Sequence, residues 1–459
     1  MCFLSLTLTY IMRFCLSIAI TEMVANRQRG KDFHIDPNAC PFTTSNTTNA
    51  SVNVDGEFHW SEETQGIILS SFFWGYVITQ MPGGLLSEKV GGKIVLGFGI
   101  LVSSLGTLLT PIAARLGDSI GLIITRICIG LGQGVIYPSL HVVTAHWIPT
   151  EERGLLGCFV FAGVNFGNAV SMSLSGFLLG LYKGGWPLVF YLYGTCGILW
   201  VVAWYFLGYS SPNDHPNLSE KEKKYLNQYN ESVNMNKVAE PTPWREILKS
   251  VPMWGLVIGQ IGHDWGLFTV VTDLPKYMKS VMHFSITQNG LLLALPYLLM
   301  WAVGLTSGAF SDWLLKRHVI TITTSRKIFT TIASVGPSLG ILGATYSGCD
   351  RIAATIFFII GMGFMGFFYP SLKVNALDLS PNYAGTISAF VIGIGAISGI
   401  ITPYLVGLLT PENTLLQWRL VFWIAVVALV GTNMIYIFTG SGEVQKWNNP
   451  QKKEDKDRR

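Results

Sequence analysis

The chain has 459 residues, of which 50% are hydrophobic and only 13% are charged. Soluble domains carry about a quarter charged residues, so this composition argues against a soluble protein and favours one embedded in a lipid bilayer. The formal net charge of +4 is too small to suggest a nucleic-acid partner. The sequence holds no P-loop, metal-ligand cluster or nucleophile–base pattern. We therefore predict no enzyme, no metal site and no bound cofactor.

The apolar residues come in blocks long enough to cross about 30 Å of hydrocarbon at about 1.5 Å per residue. By that criterion the sequence predicts an all-α membrane protein with about twelve transmembrane helices. In chain order the predicted spans are 3–25, 64–88, 93–113, 118–144, 154–180, 186–208, 251–278, 287–313, 325–346, 351–377, 383–408 and 418–440.

Six predicted spans lie on each side of a polar central stretch, which divides the chain into two halves. The predicted parts are an N-terminal six-helix bundle over 1–208, which includes an outer loop over 26–63, a cytosolic linker over 209–250, a C-terminal six-helix bundle over 251–440 and a cytosolic tail over 441–459. The chain begins almost inside its first span, which favours a shortened gene model or isoform.

The lysines and arginines of the loops predict the orientation. With both termini in the cytosol, the inner loops carry about twice as many of these residues as the outer loops, which is the positive-inside bias. The loop over 26–63 then faces outward, and its sequons predict glycosylation at Asn46 and Asn49. Cys40 and Cys349 also fall on the outer side, where a disulfide between them is one alternative.

Two stretches in opposite halves repeat each other. Residues 134–140 read GVIYPSL and residues 366–372 read GFFYPSL, while a weaker pair is GLLSEK over 84–89 and GAFSDW over 308–313. A repeat unit of about half the chain indicates a duplicated membrane half, and such architectures bind their substrate between the halves near the bilayer midplane.

Three cations lie within predicted spans and away from the span ends, at bilayer depth: Arg13, Arg126 and Lys373. An ionisable group at that depth costs at least about 2.5 kcal/mol, so it normally faces a cavity or a partner. On an ideal helix Gln133 and Tyr137 share a stripe with Arg126, because a seven-residue step returns to within about 20° of the same face. Three positive charges that face one cavity would bind an anion, and the arginine fork suits carboxylate or phosphate oxygens. Arg13 also argues against a secretory signal peptide.

The alternative is that each cation neutralises an acid on a neighbouring helix. Lys373 could pair with Asp378 or with Asp264. Asp264 and Asp273 are the acids of the seventh span, and nine residues place them on opposite faces of an ideal helix. Asp264 is deep enough to bind sodium or take a proton, while Asp273 could be a gate or a cap. His263 beside Asp264 is either a relay or, more commonly, half of a structural pair.

The pattern Gly84-x-Leu86-Ser87-Glu88-Lys89-x-Gly91-Gly92-Lys93 resembles the loop between the second and third helices of the major facilitator superfamily. Further blocks resemble its anion:cation symporter family, which includes type I sodium-phosphate cotransporters, sialin and vesicular glutamate transporters. These blocks cover 71–84, 126–138, 147–153, 378–385 and 442–447. Segments around Asp264, Asp273 and Lys373 are most similar to the insect inorganic phosphate cotransporters of that family.

The resemblance implies the major facilitator fold, with two pseudo-symmetric six-helix bundles. It also implies that Arg126 is the substrate-anion arginine and that Arg13 is needed for transport. Sialin and the vesicular glutamate transporters carry glutamate where this chain has Gln133, and sialin has a second where this chain has Ile129. A glutamine cannot titrate, so the resemblance does not supply a proton relay there. In the superfamily, charges of the inner loops latch the alternating states; the matching residues are Glu88, Lys89, Lys93, Arg153 and Asp312.

We therefore expect a secondary-active anion transporter that works by alternating access, with sodium-coupled inorganic phosphate symport as the leading function. The expected anion site contains Arg126, Arg13, Lys373, Tyr137 and Gln133, and the expected ion-coupling residues are Asp264, His263 and Asp273. Proton coupling is the alternative to sodium. One competing function is an organic-anion carrier for acidic amino acids, sialate or urate-like anions, driven by potential or protons. Another is a receptor that binds without transport. The expected unit is a monomer, in the plasma membrane rather than in lysosomes or vesicles.

Overall fold

The computed structural model describes residues 1–24, 56–148, 158–181, 184–209, 215–216, 218–232, 242–282, 284, 286–380 and 383–448. Within these ranges the regular structure is helical apart from one isolated parallel bridge between Val24 and Phe58. The α-helices are α1 (Cys2–Met23), α2 (Glu62–Val90), α3 (Gly92–Gly134), α4 (Ile136–Trp147), α5 (Cys158–Leu181), α6 (Trp186–Leu207), α7 (Glu220–Ser232), α8 (Trp244–Lys249), α9 (Val251–Phe268), α10 (Leu274–Ser280), α11 (Ile286–Lys316), α12 (Ile322–Tyr346), α13 (Arg351–Phe364), α14 (Val374–Leu379), α15 (Ala384–Gly395), α16 (Ser398–Leu409) and α17 (Leu415–Thr439).

Among the described residues, nine helical stretches are long and apolar enough to cross a membrane. One of them, Gly92–Thr144, is 53 residues long and contains a break at Asp118, whose φ is 47° and ψ is −139°. It therefore supplies two spans with a turn of a single residue between them. With α2 and the segment from α9 to α10, the number reaches the predicted twelve or so. The fold is an all-α arrangement of two pseudo-symmetric six-helix bundles, as the sequence predicted.

Both copies of the repeated motif lie where a helix is interrupted. Val135 separates α3 from α4 just before Tyr137 and Pro138. In the tenth span, α13 passes into a 3₁₀ turn at Met365–Phe368 and then a π-turn at Tyr369–Lys373. A proline has no amide hydrogen and clashes with the preceding turn, which explains why the regular helix stops there in both halves. A second π-turn, Thr269–Asp273, separates α9 from α10 in the seventh span.

We call the end of the molecule that carries the connection from α1 to α2 the outer end, following the orientation predicted from the sequence. At this end the two halves are in direct contact. Glu62, at the start of α2, forms an ion pair with Lys276 of α10. The Nδ2 of Asn413, in the connection between α16 and α17, donates a hydrogen bond to Glu62 Oε1 at 2.7 Å. A Cβ on Gly66 would lie 2.4 Å from the carbonyl oxygen of Pro403, so only glycine permits this approach of α2 to α16.

Candidate functional site

The two arginines predicted from the sequence lie together in the N-terminal half. Arg13 of α1 donates from Nε to Gln133 Oε1 at 3.0 Å, and Arg126 of α3 donates from Nη2 to the carbonyl oxygen of Arg13 at 3.1 Å. The Nε2 of Gln133 donates to the carbonyl oxygen of Thr9 at 3.1 Å. Gln133 is fully buried and holds α1 against α3, so it orients Arg13.

Aromatic rings surround these two guanidinium groups. The Cζ atom of Arg13 lies 4.6 Å from the ring centre of Tyr10, 4.8 Å from that of Phe72 and 4.6 Å from that of Tyr76. Arg126 Cζ lies 5.0 Å from the same Phe72 ring. Each ring face is electron-rich and stabilises a nearby cation by about 0.5–2 kcal/mol. The rings therefore stabilise the charged form of both arginines without cancelling the positive charge, because an aromatic ring has no net charge.

Neither arginine forms an ion pair with a carboxylate anywhere in the described ranges. Instead, Nη2 of Arg13 and Nε of Arg126 are buried N–H groups with no hydrogen-bond partner among those residues. A buried donor that is left unpaired costs roughly 1–3 kcal/mol, and more for a charged group. The alternative of a neutralising acid on a neighbouring helix is therefore not what the structure shows. An anion could satisfy both free donors at once, which is the chemistry that a fork of two guanidinium groups favours.

Tyr137 links this arginine pair to the C-terminal half. Its hydroxyl lies 3.2 Å from the hydroxyl of Tyr10, within hydrogen-bonding distance. On its other side, the Nζ of Lys373 lies 5.3 Å from the centre of the Tyr137 ring. Lys373 is half-buried and sits at the last position of the π-turn in the tenth span. The structure thus brings three of the five predicted anion-site residues, Arg13, Arg126 and Gln133, into direct contact. Tyr137 joins them through Tyr10, and Lys373 joins them through the ring of Tyr137.

One alternative for Lys373 is wrong. Asp378 is paired with Arg326 of α12, which donates from Nε at 2.6 Å and from Nη2 at 3.2 Å to its two carboxylate oxygens. Arg326 also donates from Nη1 to the carbonyl oxygen of Pro370 at 2.6 Å. Five residues along a helix turn a side chain by about 140°, so Lys373 and Asp378 point in different directions. The other alternative, Asp264, lies on α9, against which the tenth span packs, but it does not form a direct ion pair with Lys373.

Asp264 is buried in α9, and its carboxylate faces α15. Both of its oxygens accept hydrogen bonds from Nε2 of Gln260, one helical turn earlier, at 2.9 Å each. A Cβ on Gly395 would lie only 2.3 Å from Asp264 Oδ2, so the backbone of α15 closes this side of the carboxylate. The carboxylate is therefore shielded from solvent and has one neutral donor, with Lys373 as its nearby cation.

His263 and Asp273 do not join Asp264. The ring of His263 stacks on Phe368, with centres 3.7 Å apart and planes 5° apart, and its Nδ1 has no hydrogen-bond partner within the described ranges. Consecutive helical residues point about 100° apart, which explains why the expected pair of His263 with Asp264 does not form. Asp273 lies in the π-turn and accepts a hydrogen bond from Thr272 Oγ1 at 2.8 Å. Its charged neighbour is Lys276, so it belongs to the outer end.

The five predicted latch residues are placed as follows. Lys93 is half-buried, with its Nζ 5.8 Å and 5.1 Å from the ring centres of Tyr205 and Tyr209. Lys89 and Asp312 are exposed. The side chain of Glu88 and the whole of Arg153 lie outside what the structure describes. The latch stays a prediction.

Most of the predicted outer loop, residues 26–55, lies outside the described residues, and with it Asn46, Asn49 and Cys40. Cys349 forms a disulfide, which fits half of the predicted pairing. Its partner stays a prediction.

Several contributors to the site were missed from the sequence. Phe72 and Tyr76 are four residues apart on α2, and that aromatic stripe was a signal for a ring-lined site. Tyr369 occupies the position in the second repeat that Tyr137 occupies in the first, and its hydroxyl accepts a hydrogen bond from Asn165 Nδ2 at 3.0 Å. The repeat itself could have pointed to Tyr369. Asn165 had no comparable signal.

Comparison with known proteins identifies the family of this chain. Residues 2–403 match the Major Facilitator Superfamily model. The "Putative inorganic phosphate cotransporter" of Drosophila ananassae is 38% identical over 99% of this chain and 94% of its own length. Human sialin is 36% identical over 97% of this chain and 89% of its own. Both agree with the resemblance seen in the sequence.

A crystal structure of a bacterial homologue of the human lysosomal transporter Spinster, in an inward-facing and occupied conformation, has the same fold. Its TM-score is 0.70 at 13% identity, over 95% of each chain. The relatives are transporters, which confirms the prediction of a transport protein and not an enzyme. Because the superfamily model matches most of the sequence and relatives above 30% identity align almost from end to end, the chain belongs to the Major Facilitator Superfamily.

Proposed function

We propose that this protein is a secondary-active anion transporter that binds its substrate at Arg13 and Arg126 and carries it by alternating access. The observation behind this proposal is the pair of unsatisfied N–H groups, Nη2 of Arg13 and Nε of Arg126, on two guanidinium groups that have no acidic partner among the described residues. Tyr137 and Lys373 complete the anion site from its inner side, and Gln133 holds Arg13 in place.

Inorganic phosphate with sodium is the leading substrate pair. The similarity to the inorganic phosphate cotransporter of Drosophila ananassae supports phosphate. Sodium is supported by Asp264, a buried carboxylate whose oxygens are hydrogen-bonded by one amide within the described residues. Sodium prefers oxygen ligands, and a proton is the alternative cation at the same carboxylate.

An organic anion is the second candidate. The rings of Tyr10, Phe72 and Tyr76 that surround Arg13 could pack against the carbon skeleton of a carboxylate substrate, whereas inorganic phosphate has no such part. The similarity to human sialin points the same way. For this candidate, membrane potential or protons would drive uptake.

We further propose that one chain is the transport unit. In this proposal the unit lies in the plasma membrane with both termini in the cytosol and carries glycans at Asn46 and Asn49. The excess of lysine and arginine in the inner loops supports the orientation, and the two sequons support glycosylation.

Uptake into proteoliposomes tests the function. Purified protein is reconstituted, and uptake of labelled inorganic phosphate, glutamate and sialate is measured with an inward sodium gradient. The measurement is repeated with sodium replaced by a large organic cation at a clamped potential. We expect phosphate uptake that sodium stimulates. Unchanged phosphate uptake without sodium would contradict sodium symport, and uptake of glutamate or sialate alone would favour the second candidate.

Arg126→Ala provides the site control. It should abolish uptake, while the protein still inserts into the membrane and keeps the Tm of the parent protein. Arg126→Lys should restore only part of the uptake, because an ammonium group cannot make the two parallel bonds of a guanidinium group. Normal uptake by the alanine variant would refute the assignment of the site.

A further inference from the structure

Lys373 lies between two places where negative charge can be held. One is the arginine pair, which it approaches through the ring of Tyr137. The other is Asp264 of α9, the helix on which the tenth span packs through His263 and Phe368 and through Gly259 and Leu372, with no direct ion pair between Lys373 and Asp264. We propose that Lys373 exchanges partners, leaving Asp264 for the substrate anion, so that anion binding makes Asp264 available to a cation. This inference rests on the proposed anion transport and adds the step that couples the two ions.

The backbone around Lys373 is closely packed, whereas its ammonium group forms no hydrogen bond or ion pair with the described residues. The ring of Phe368 stacks on His263, and a Cβ on Gly259 would lie 3.0 Å from Leu372 Cδ2, so the tenth span packs closely on α9. Lys373 follows directly at the end of the π-turn, and its side chain is half-buried. A lysine side chain is a flexible stem with a mobile ammonium group, which suits movement between two partners.

The other charged or titratable groups near Lys373 do not compete for it. Asp378 is occupied by the two-bond pair with Arg326. His263 is stacked on a ring, and His141 of α4, which is exposed and lies near Lys373, carries no negative charge. The described surroundings of Lys373 therefore leave Asp264 and a bound anion as its two negative partners.

The exchange balances charge at both positions. Without substrate, the ammonium of Lys373 offsets the carboxylate of Asp264. When an anion binds, the ammonium turns to it, and Asp264 keeps only its neutral donor, Gln260. A buried carboxylate without a counter-charge is costly, so it binds sodium or a proton from solution. Anion and cation would then travel together, without a titratable side chain at Gln133.

Opposite effects of two substitutions test the exchange. Equilibrium binding of labelled phosphate, glutamate and sialate is measured on the purified full chain, in sodium chloride and in a large organic cation chloride. Asp264→Asn should tighten anion binding on the order of tenfold, because Lys373 is released from a competing charge. It should also remove the sodium dependence. Lys373→Gln should weaken anion binding by a similar factor, and the double variant should not show the sum of the two effects.

The controls separate this inference from the proposed function. Glu57→Gln removes an acid that pairs with Arg115 inside the N-terminal half, and it should bind anions like the parent protein. Tighter binding by Asp264→Asn could not arise from misfolding, whereas thermal melting would check the lysine variant. Weaker or equal anion binding by Asp264→Asn would overturn the exchange. Undiminished binding by Arg126→Ala, or no binding of all three probes by the parent, would instead overturn the proposed function and the exchange with it.

Discussion

The outer contact between the halves should be a gate, and Glu62 is the residue whose substitution tests it. Its carboxylate joins three parts of the molecule: α2, Lys276 of α10, and Asn413 before α17. The change Glu62→Gln keeps the size of the side chain and the acceptor for Asn413. It removes the negative charge that Lys276 needs. We expect the outer end to open more often.

The size of the effect follows from the burial of the pair. The side chains of Lys276 and Glu62 are 11% and 21% exposed, so water screens their attraction only in part. Fully exposed ion pairs contribute about 0–1 kcal/mol, while a hydrogen bond to a charged group contributes about 1.5–3 kcal/mol. We therefore expect the closed state to lose about 2 kcal/mol, which raises the ratio of open to closed molecules roughly 30-fold.

The assay uses a cysteine below the gate. Leu69 is buried and lies seven residues after Glu62, on the same face of α2 and about 10 Å deeper. The rate at which a membrane-impermeant maleimide labels Leu69→Cys from the outer side should rise in the Glu62→Gln variant. The background is the labelling of the parent protein and of the Glu62→Gln variant when both keep Leu69. Glu57→Gln is the matched control, because its ion pair with Arg115 lies within one half.

The exchanged pair Glu62→Lys with Lys276→Glu should return the labelling rate towards that of the parent. If Glu62→Gln left the rate at Leu69→Cys unchanged, the contact would contribute nothing to closure. If Glu57→Gln raised the rate equally, the effect would be one of surface charge and not of the contact between the halves. Either result would refute the assignment of a gate.

Three further outcomes are expected. Gly395→Ala places a Cβ 2.3 Å from Asp264 Oδ2, so it should displace the carboxylate and remove sodium stimulation of uptake while the protein still reaches the membrane. Asp378→Asn leaves the Arg326 guanidinium, only 9% exposed, without its carboxylate, and it should cost about 3 kcal/mol of folding stability, read as a lower Tm in detergent. Arg13→Lys loses the Nε donor to Gln133 and should lower uptake at least about tenfold at unchanged surface amount.

The first two of these changes have matched controls. Gly431→Ala adds a methyl group where nothing lies within 4 Å, so uptake and its sodium stimulation should be retained. Asp312→Asn alters an exposed acid, so it should change the free energy of unfolding by no more than about 0.5 kcal/mol and leave the Tm close to that of the parent. Full sodium stimulation in Gly395→Ala, an unchanged Tm in Asp378→Asn or parental uptake by Arg13→Lys would contradict the respective argument.

The membrane spans and the arginine pair could be predicted because both follow from local rules. Apolar length gives the spans, and helical periodicity places Arg126, Gln133 and Tyr137 on one stripe. Arg13 and Arg126 lie deep in apolar segments, where an unpaired charge is costly. Binding of an anion is one function that would explain their presence. The turn at Asp118 was less predictable, since a single residue with positive φ replaces the expected loop.

The partners of individual charges could not be predicted, because they depend on how helices cross. Asp378 was considered for Lys373 but is taken by Arg326, which lies 52 residues earlier on a different helix. Glu62 and Lys276 join opposite halves, and no local pattern connects them. The π-turns add to this difficulty, since each shifts the register of the residues that follow it. Sequence periodicity therefore fails where the helices of the site are interrupted.

Because residue 133 is an amide and not an acid, the arginine pair of the proposed anion site keeps its charge. A carboxylate in that position could accept the bond from Arg13 Nε and neutralise it, whereas the amide accepts the same bond and leaves the charge. Two buried guanidinium groups then repel each other, and only an incoming anion relieves both the repulsion and the unpaired N–H groups. The affinity of the site is thus independent of a proton on Gln133, and any dependence on a cation has to arise elsewhere. Among the described residues near Lys373, Asp264 is the carboxylate placed to supply it.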